Sequence, residues 1–333
     1  MTTDCTRSWG CSHDTRSPAL FATVCCRPAT REHVRLVACP VWVGQCAART
    51  APCFLPWSTT VTQEDAFLQA MIDGLPDLTL QLIFADWLEE HGDPRGSFLR
   101  LGCELARLPA PDTRRADLEH QRQRLREEHP EVVPAFERAF ALRRIQKKIG
   151  LLRDADPECL AFGARSHRYQ FGPRLTAREL AAFERAQRVR LPEEYRTFLL
   201  CMGNGGAGPG YGLFSLAGAR RSTPSTLHEP FPLSAKDAAD AVAGLRAQQR
   251  EPVILLTPPL VGCLEIGHQG CAIMEVLVLS GEQRGTMWNA REDWYPYADK
   301  DGVQCGFFAW YERWLDQCLA PEAIDRWRKQ VES

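Results

Sequence analysis

Between residues 80 and 91 the apolar side chains Leu80, Ile83, Phe84, Trp87 and Leu88, followed by His91, fall at i, i+3, i+4, i+7, i+8 and i+11. That spacing draws one stripe along a helix, and such a stripe requires a partner surface. Gly92, Asp93 and Pro94 end the helix and open another, in which Phe98, Leu101, Leu105 and Leu108 share a face. A helical hairpin or three-helix unit is predicted. From Asp112 to Arg153 the chain is charged and helical in pattern, and Phe136, Phe140, Leu142, Ile145 and Ile149 keep a periodic apolar edge suited to connector helices.

A different pattern begins at Arg174. Thr176 is placed to cap a helix bearing Leu180 and Phe183. Pro192 suits the first position of the next helix, and Glu193 and Glu194 complement its positive end. Tyr195, Phe198, Leu199 and Met202 then form a buried stripe, which Gly203, Asn204, Gly205 and Gly206 terminate. Met274 to Leu279 is apolar on both faces and predicts a central strand covered on two sides. Gly281 and Gly285 bracket a turn, Thr286, Met287 and Trp288 return as a strand, and Phe308, Tyr311, Trp314, Leu315 and Cys318 recur at helical spacing.

In order, these motifs and the strand and turn Leu264, Ile266, Gly267, Gly270 and Cys271 resemble the SUKH superfamily over about half the chain. That superfamily comprises small α+β domains, including bacterial toxin-immunity proteins and fungal cell-wall regulators, that bind other proteins. Residues 61–109 separately resemble a bacterial repeat-companion domain, a short helical module. The two resemblances imply an α+β fold, with a mixed or antiparallel sheet flanked by helices and an N-terminal all-α module. The fused helices depart from minimal immunity proteins, which leaves a regulatory or scaffold role with an endogenous partner as an alternative.

Charge and candidate chemistry narrow the picture. The segment 112–148 has ten Arg/Lys against seven Asp/Glu, yet the whole chain has a net charge of −2, which is no electrostatic footprint for nucleic acid. Arg143, Arg144, Lys147 and Lys148 are the cluster to watch. GNGGAGPGYG, residues 203–212, follows a helix instead of a strand, and Pro209 lacks a donor, so the order is wrong for a phosphate loop. Asp86, Glu89, Glu90 and Asp93 read as a solvated helix face. Cys263, His268 and Cys271 have ligand chemistry but no assignable fourth ligand. No nucleophile, base and orienting group assemble from the sequence, which places a hydrolase or nuclease last. No metal and no cofactor is expected.

The first sixty residues hold seven of fourteen cysteines, six Arg, no Lys and three acidic residues, without a sustained apolar period. They contain no C-x-x-C pair, and an odd count leaves one thiol over. The expectation is that this leader is an upstream region read as protein, and that the natural chain starts at Val61. The later cysteines, Cys103, Cys159, Cys201, Cys263, Cys271, Cys305 and Cys318, mostly fall in helix-like or strand-like surroundings, which favours reduced, buried thiols. No segment reaches the ~20 apolar residues of a membrane helix, so a cytoplasmic protein is expected.

The sequence therefore divides into a leader (1–60), a helical module (61–110), a charged connector (111–155) and a SUKH-like domain (156–333). The expected function is non-enzymatic recognition of a protein, a toxin or an endogenous client. Asn204, Tyr211, His268 and Trp294 lie in predicted turns or loops around the sheet and are the candidate contacts, with loop packing as their alternative role. Oligomeric state and the partner's identity leave no mark in the sequence.

Overall fold

In a computed structural model, residues 62–74, 77–109, 112–222, 226–246, 261–290, 294–299 and 302–332 are described. The leader expected at 1–60 lies outside them. The helices are α1 (Gln63–Asp73), α2 (Leu78–Glu90), α3 (Pro94–Arg107), α4 (Arg114–Glu128), α5 (Val133–Ala155), α6 (Ala164–His167), α7 (Ala177–Gln187), α8 (Glu193–Cys201), α9 (Leu216–Ser222) and α10 (Ala235–Arg246). Strands β1 (Cys263–Gly270), β2 (Ile273–Val278), β3 (Met287–Ala290) and β4 (Trp294–Pro296) follow, then α11 (Phe307–Leu319) and α12 (Pro321–Glu332). The fold is α+β, with one antiparallel sheet in the order β1-β2-β3-β4 and helices on both faces. None of the described helices is long and apolar enough to cross a membrane.

The apolar run predicted to be a central strand is β2. Its alternating side chains feed two cores: Leu277 packs with Leu264, Ile266 and Met287 against α11, while Val276 and Val278 pack with Trp288, Trp294 and Phe231 beneath α10. Aromatic residues dominate the first core. Phe198 of α8 meets Phe307 and Tyr311 of α11 at ring separations of 5.0 and 5.2 Å.

Helix starts follow local chemistry. Thr176 caps α7 in a full capping box with Glu179. Pro192 is the N-cap of α8 itself, one place earlier than expected, because its ψ of 141° is extended. Glu194 serves a distant helix: its carboxylate accepts the N–H of Phe308 at 2.9 Å, supplying the side-chain cap that Gly306 cannot give α11.

The N-terminal helices build a third cluster around Met71, Phe84 and Leu88. The stripe of α2 is narrower than its spacing implied, since Ile83 is 47 % exposed and His91 is exposed. Asp86 and Glu89 both take hydrogen bonds from Arg100 of α3, so the carboxylate face is an inter-helix ion pair. Phe136 and Phe140 close this cluster from α5, whereas Leu142, Ile145, Ile149 and Leu152 of the same helix enter the core under the sheet.

The four clustered cations of α5, Arg143, Arg144, Lys147 and Lys148, are occupied within the chain. Arg144 and Lys148 reach Glu312 at 2.6 and 3.1 Å, Lys148 also meets Asp316 at 2.7 Å, Lys147 donates to the carbonyls of Ile72 and Asp73, and Arg143 pairs with Asp65. These contacts tie α5 to α11 and α1.

Candidate functional site

The segment after α5 is pinned by one buried carboxylate. Asp156 accepts the N–H groups of Leu160 and Ala161 at 2.7 and 2.9 Å and the hydroxyl of Tyr169 at 2.5 Å. The turn so fixed thrusts Phe162 outward, 66 % exposed. Gly163 follows at φ +75°, where a Cβ would fall 2.0 Å from the carbonyl oxygen of Gly210. Only glycine permits that approach.

Gly210 belongs to the glycine-rich loop after α8. This loop is strand-like: Gly206 pairs with both Phe171 and Leu213, and Leu213 pairs with Gly267, which extends the sheet beyond β1. Much of its backbone is engaged in this pairing, with the N–H groups of Gly206, Ala207, Tyr211 and Leu213 all donated to backbone carbonyls. Tyr211 donates its N–H to the carbonyl of His268 at 3.1 Å and lays its ring on the imidazole, 4.9 Å between centroids and 18° from parallel. Phe162 meets Tyr211 edge-on at 5.5 Å, and Phe214 flanks His268 at 5.5 Å. Tyr211 is 42 % exposed.

Two buried polar groups hold the patch from behind. His167 accepts the Tyr169 N–H on Nδ1 at 3.0 Å, which leaves the proton of the neutral ring on Nε2, a buried atom near the Gly208 and Gly210 backbone with no hydrogen bond of good geometry among the described residues. Burial lowers its pKa, against the opposing pull of that backbone, and so favours the neutral ring. On β1, a bulge inserts Gln269 between the pairs His268–Met274 and Gly270–Ile273. The bulge turns its amide onto Glu275, which also accepts the Tyr297 hydroxyl at 2.9 Å. Glu275 is fully buried, and its second oxygen has no hydrogen-bond partner. Burial pushes its carboxyl pKa up, with hydrogen bonds from Gln269, Tyr297 and Trp310 opposing.

Of the four sequence candidates, Tyr211 and His268 come together. Asn204 does not join them: its Oδ1 accepts the Leu216 N–H at 2.7 Å and caps α9, a local structural task. Trp294, expected in a loop, lies in β4 and is 1 % exposed against Phe231, so it is core. Phe162 was missed. A lone aromatic between Ala161 and Gly163, outside any apolar period, was its only mark in the sequence.

The trio Cys263, His268 and Cys271 is dispersed. Cys263 is buried within β1, where burial pushes its thiol pKa up. Cys271 is exposed at the β1–β2 turn, contrary to the buried thiol expected there, with φ +49° followed by +60° at Ala272. Positive φ at both central residues is the two-residue hairpin geometry that suits the twist of the strands. Among the described residues no group of three or more His, Cys, Asp or Glu is placed to hold a metal ion.

What the site defines is an exposed aromatic patch on the loop edge of an α+β domain, with Phe162 against Tyr211 and Tyr211 against His268. Set beside protein-family models, curated proteins and solved structures, the chain has no match.

Proposed function

We propose that the chain is a non-enzymatic, SUKH-like protein-recognition domain that acts by direct binding, on a toxin or an endogenous client. The observation that carries this reading is the pair Phe162 and Tyr211, two large aromatics held side by side in solvent by glycine-dependent backbone contacts. Aromatic anchors of this kind dominate interface energetics, because they bury much area at little cost in side-chain entropy. The neighbouring His268 supports this reading, since its ring is stacked on Tyr211 and flanked by Phe214 and so extends the aromatic surface.

The test is affinity capture from source-cell lysate with wild-type chain and with Phe162→Ala/Tyr211→Ala as parallel baits. One stoichiometric protein, retained by the wild type and lost from a variant that unfolds at the wild-type temperature, supports the proposal. Equal capture by both baits, or no captured protein, rejects it. A toxin as the captured protein selects the immunity role and a housekeeping protein selects the regulatory one.

A further inference from the structure

The two segments that build the aromatic patch carry positive charge only. Residues 159–178 contain Arg165, Arg168, Arg174 and Arg178 with no lysine and no carboxylate, and residues 202–219 contain no charged residue, although the chain has 42 Asp and Glu and a net charge of −2. The segments run side by side. Ala207 donates its N–H to the Gln170 carbonyl at 2.7 Å, Gly172 to Gly205 at 3.0 Å and Asn204 to Pro173 at 3.0 Å, while Gly163 abuts Gly210. Along this ribbon Ala164, His167 and Tyr169 are buried, and Phe162, Arg165, Arg168 and Arg174 are exposed.

These three arginines have no side-chain ion pair or hydrogen bond among the described residues, whereas the clustered cations of α5 all have one. Arg165 and Arg168 lie at the Phe162 end. Burial and Asp156 raise the pKa of the Cys159 thiol, three residues before Phe162, and the guanidiniums of Arg168 and Arg165 oppose them, so both are within electrostatic reach of that turn. The nearest exposed carboxylates in sequence, Asp154 and Glu158, precede the ribbon, and Glu179 beyond it is taken by Thr176. Aromatic rings beside unpaired guanidiniums complement an apolar protein surface rimmed by carboxylates: Tyr and Arg are the types that anchor interfaces, and a guanidinium takes a carboxylate through two parallel hydrogen bonds. A nucleic acid fits less well, because His268 already covers one face of the Tyr211 ring on which a base would stack, and the chain as a whole is not basic.

We propose, resting on the recognition reading above, that the partner held by Phe162 and Tyr211 is an acidic protein surface whose carboxylates pair with Arg165 and Arg168 around an apolar centre that the two rings cover. The test titrates the full chain with peptides of equal length that share a Leu-Phe-Leu centre flanked by Glu, by Gln or by Lys, and with an oligothymidylate matching the charge of the Glu peptide. The Glu peptide is expected to bind about tenfold or more tighter than the Gln peptide, and to lose about tenfold or more in Arg165→Glu/Arg168→Glu at an unchanged unfolding temperature. Arg165→Gln/Arg168→Gln, the milder pair, should shift affinity in the same direction. Equal binding of the Glu and Gln peptides, no loss in either arginine variant, no binding at about 1 mM, or an oligothymidylate bound as tightly overturns the proposal. If the Glu and Gln peptides bind equally and both need Phe162 and Tyr211, the acidic specificity falls and the recognition reading stands. If no peptide is weakened by Phe162→Ala/Tyr211→Ala, both fall.

Discussion

Gly163 and Gly210 touch backbone to backbone, so closely that a methyl group on Gly163 would lie 2.0 Å from the Gly210 carbonyl oxygen. The contact sets Phe162 against Tyr211. It couples a turn that follows α5 to the loop that follows α8, two segments with no helix or strand in common.

Gly163→Ala should therefore destabilise the fold by about 3 kcal/mol, from the left-handed φ and the collision together. Gly150→Ala is the opposite case: it lies inside α5 with no atom within 4 Å of the added carbon, and should stabilise by about 0.5–1 kcal/mol. Denaturant unfolding of both variants decides. A harmless Gly163→Ala would mean that the two loops are not held in this contact.

Glu275→Gln should raise stability at neutral pH. Burial raises the carboxyl pKa in the folded chain, so the folded state binds the proton more tightly than the unfolded one. The Glu275 contribution to stability then falls as pH rises from the ordinary carboxylate value of 4.5 toward the folded one. The advantage of the variant should grow over that window and shrink toward pH 4. A variant less stable than wild type at pH 7 would mean that the ionised form is well solvated by its donors.

Glu312 has the reverse sign. Burial pushes its carboxyl up, but Arg144 and Lys148 more than offset this and leave the pKa lowered. Its contribution is present above 4.5 and is lost as pH falls through the folded value. Glu312→Gln should cost about 2 kcal/mol at pH 7, less than for a fully buried pair because its partners are partly solvated, and the loss should vanish in acid. Urea unfolding at several pH values separates the two carboxylates by the direction of the slope.

The elements the sequence showed best are those whose pattern reflects burial directly. Met274 to Leu279 reads as a central strand because both faces are covered, and Phe308 to Leu315 reads as a helix because one face is. The candidate site was half legible. Asn204 sits in a glycine-rich loop that looks unengaged, but its partner is a backbone N–H twelve residues on, which no local pattern marks. Trp294 belongs to a strand of three residues, too short to display alternation, so the tertiary packing on Phe231 decides its burial. Phe162 is exposed by the grip of Asp156 on the preceding turn, a consequence of three hydrogen bonds that no apolar periodicity encodes.

Helix α5 places Phe136 and Phe140 in one core and Ile145, Ile149 and Leu152 in another. Its 23 residues make a strut of about 35 Å. Neither core is complete without it, so a disturbance that frays α5 at either end is felt in both. Melting should accordingly proceed as a single cooperative event from α1 to α11, with the early helices and the sheet sharing one fate.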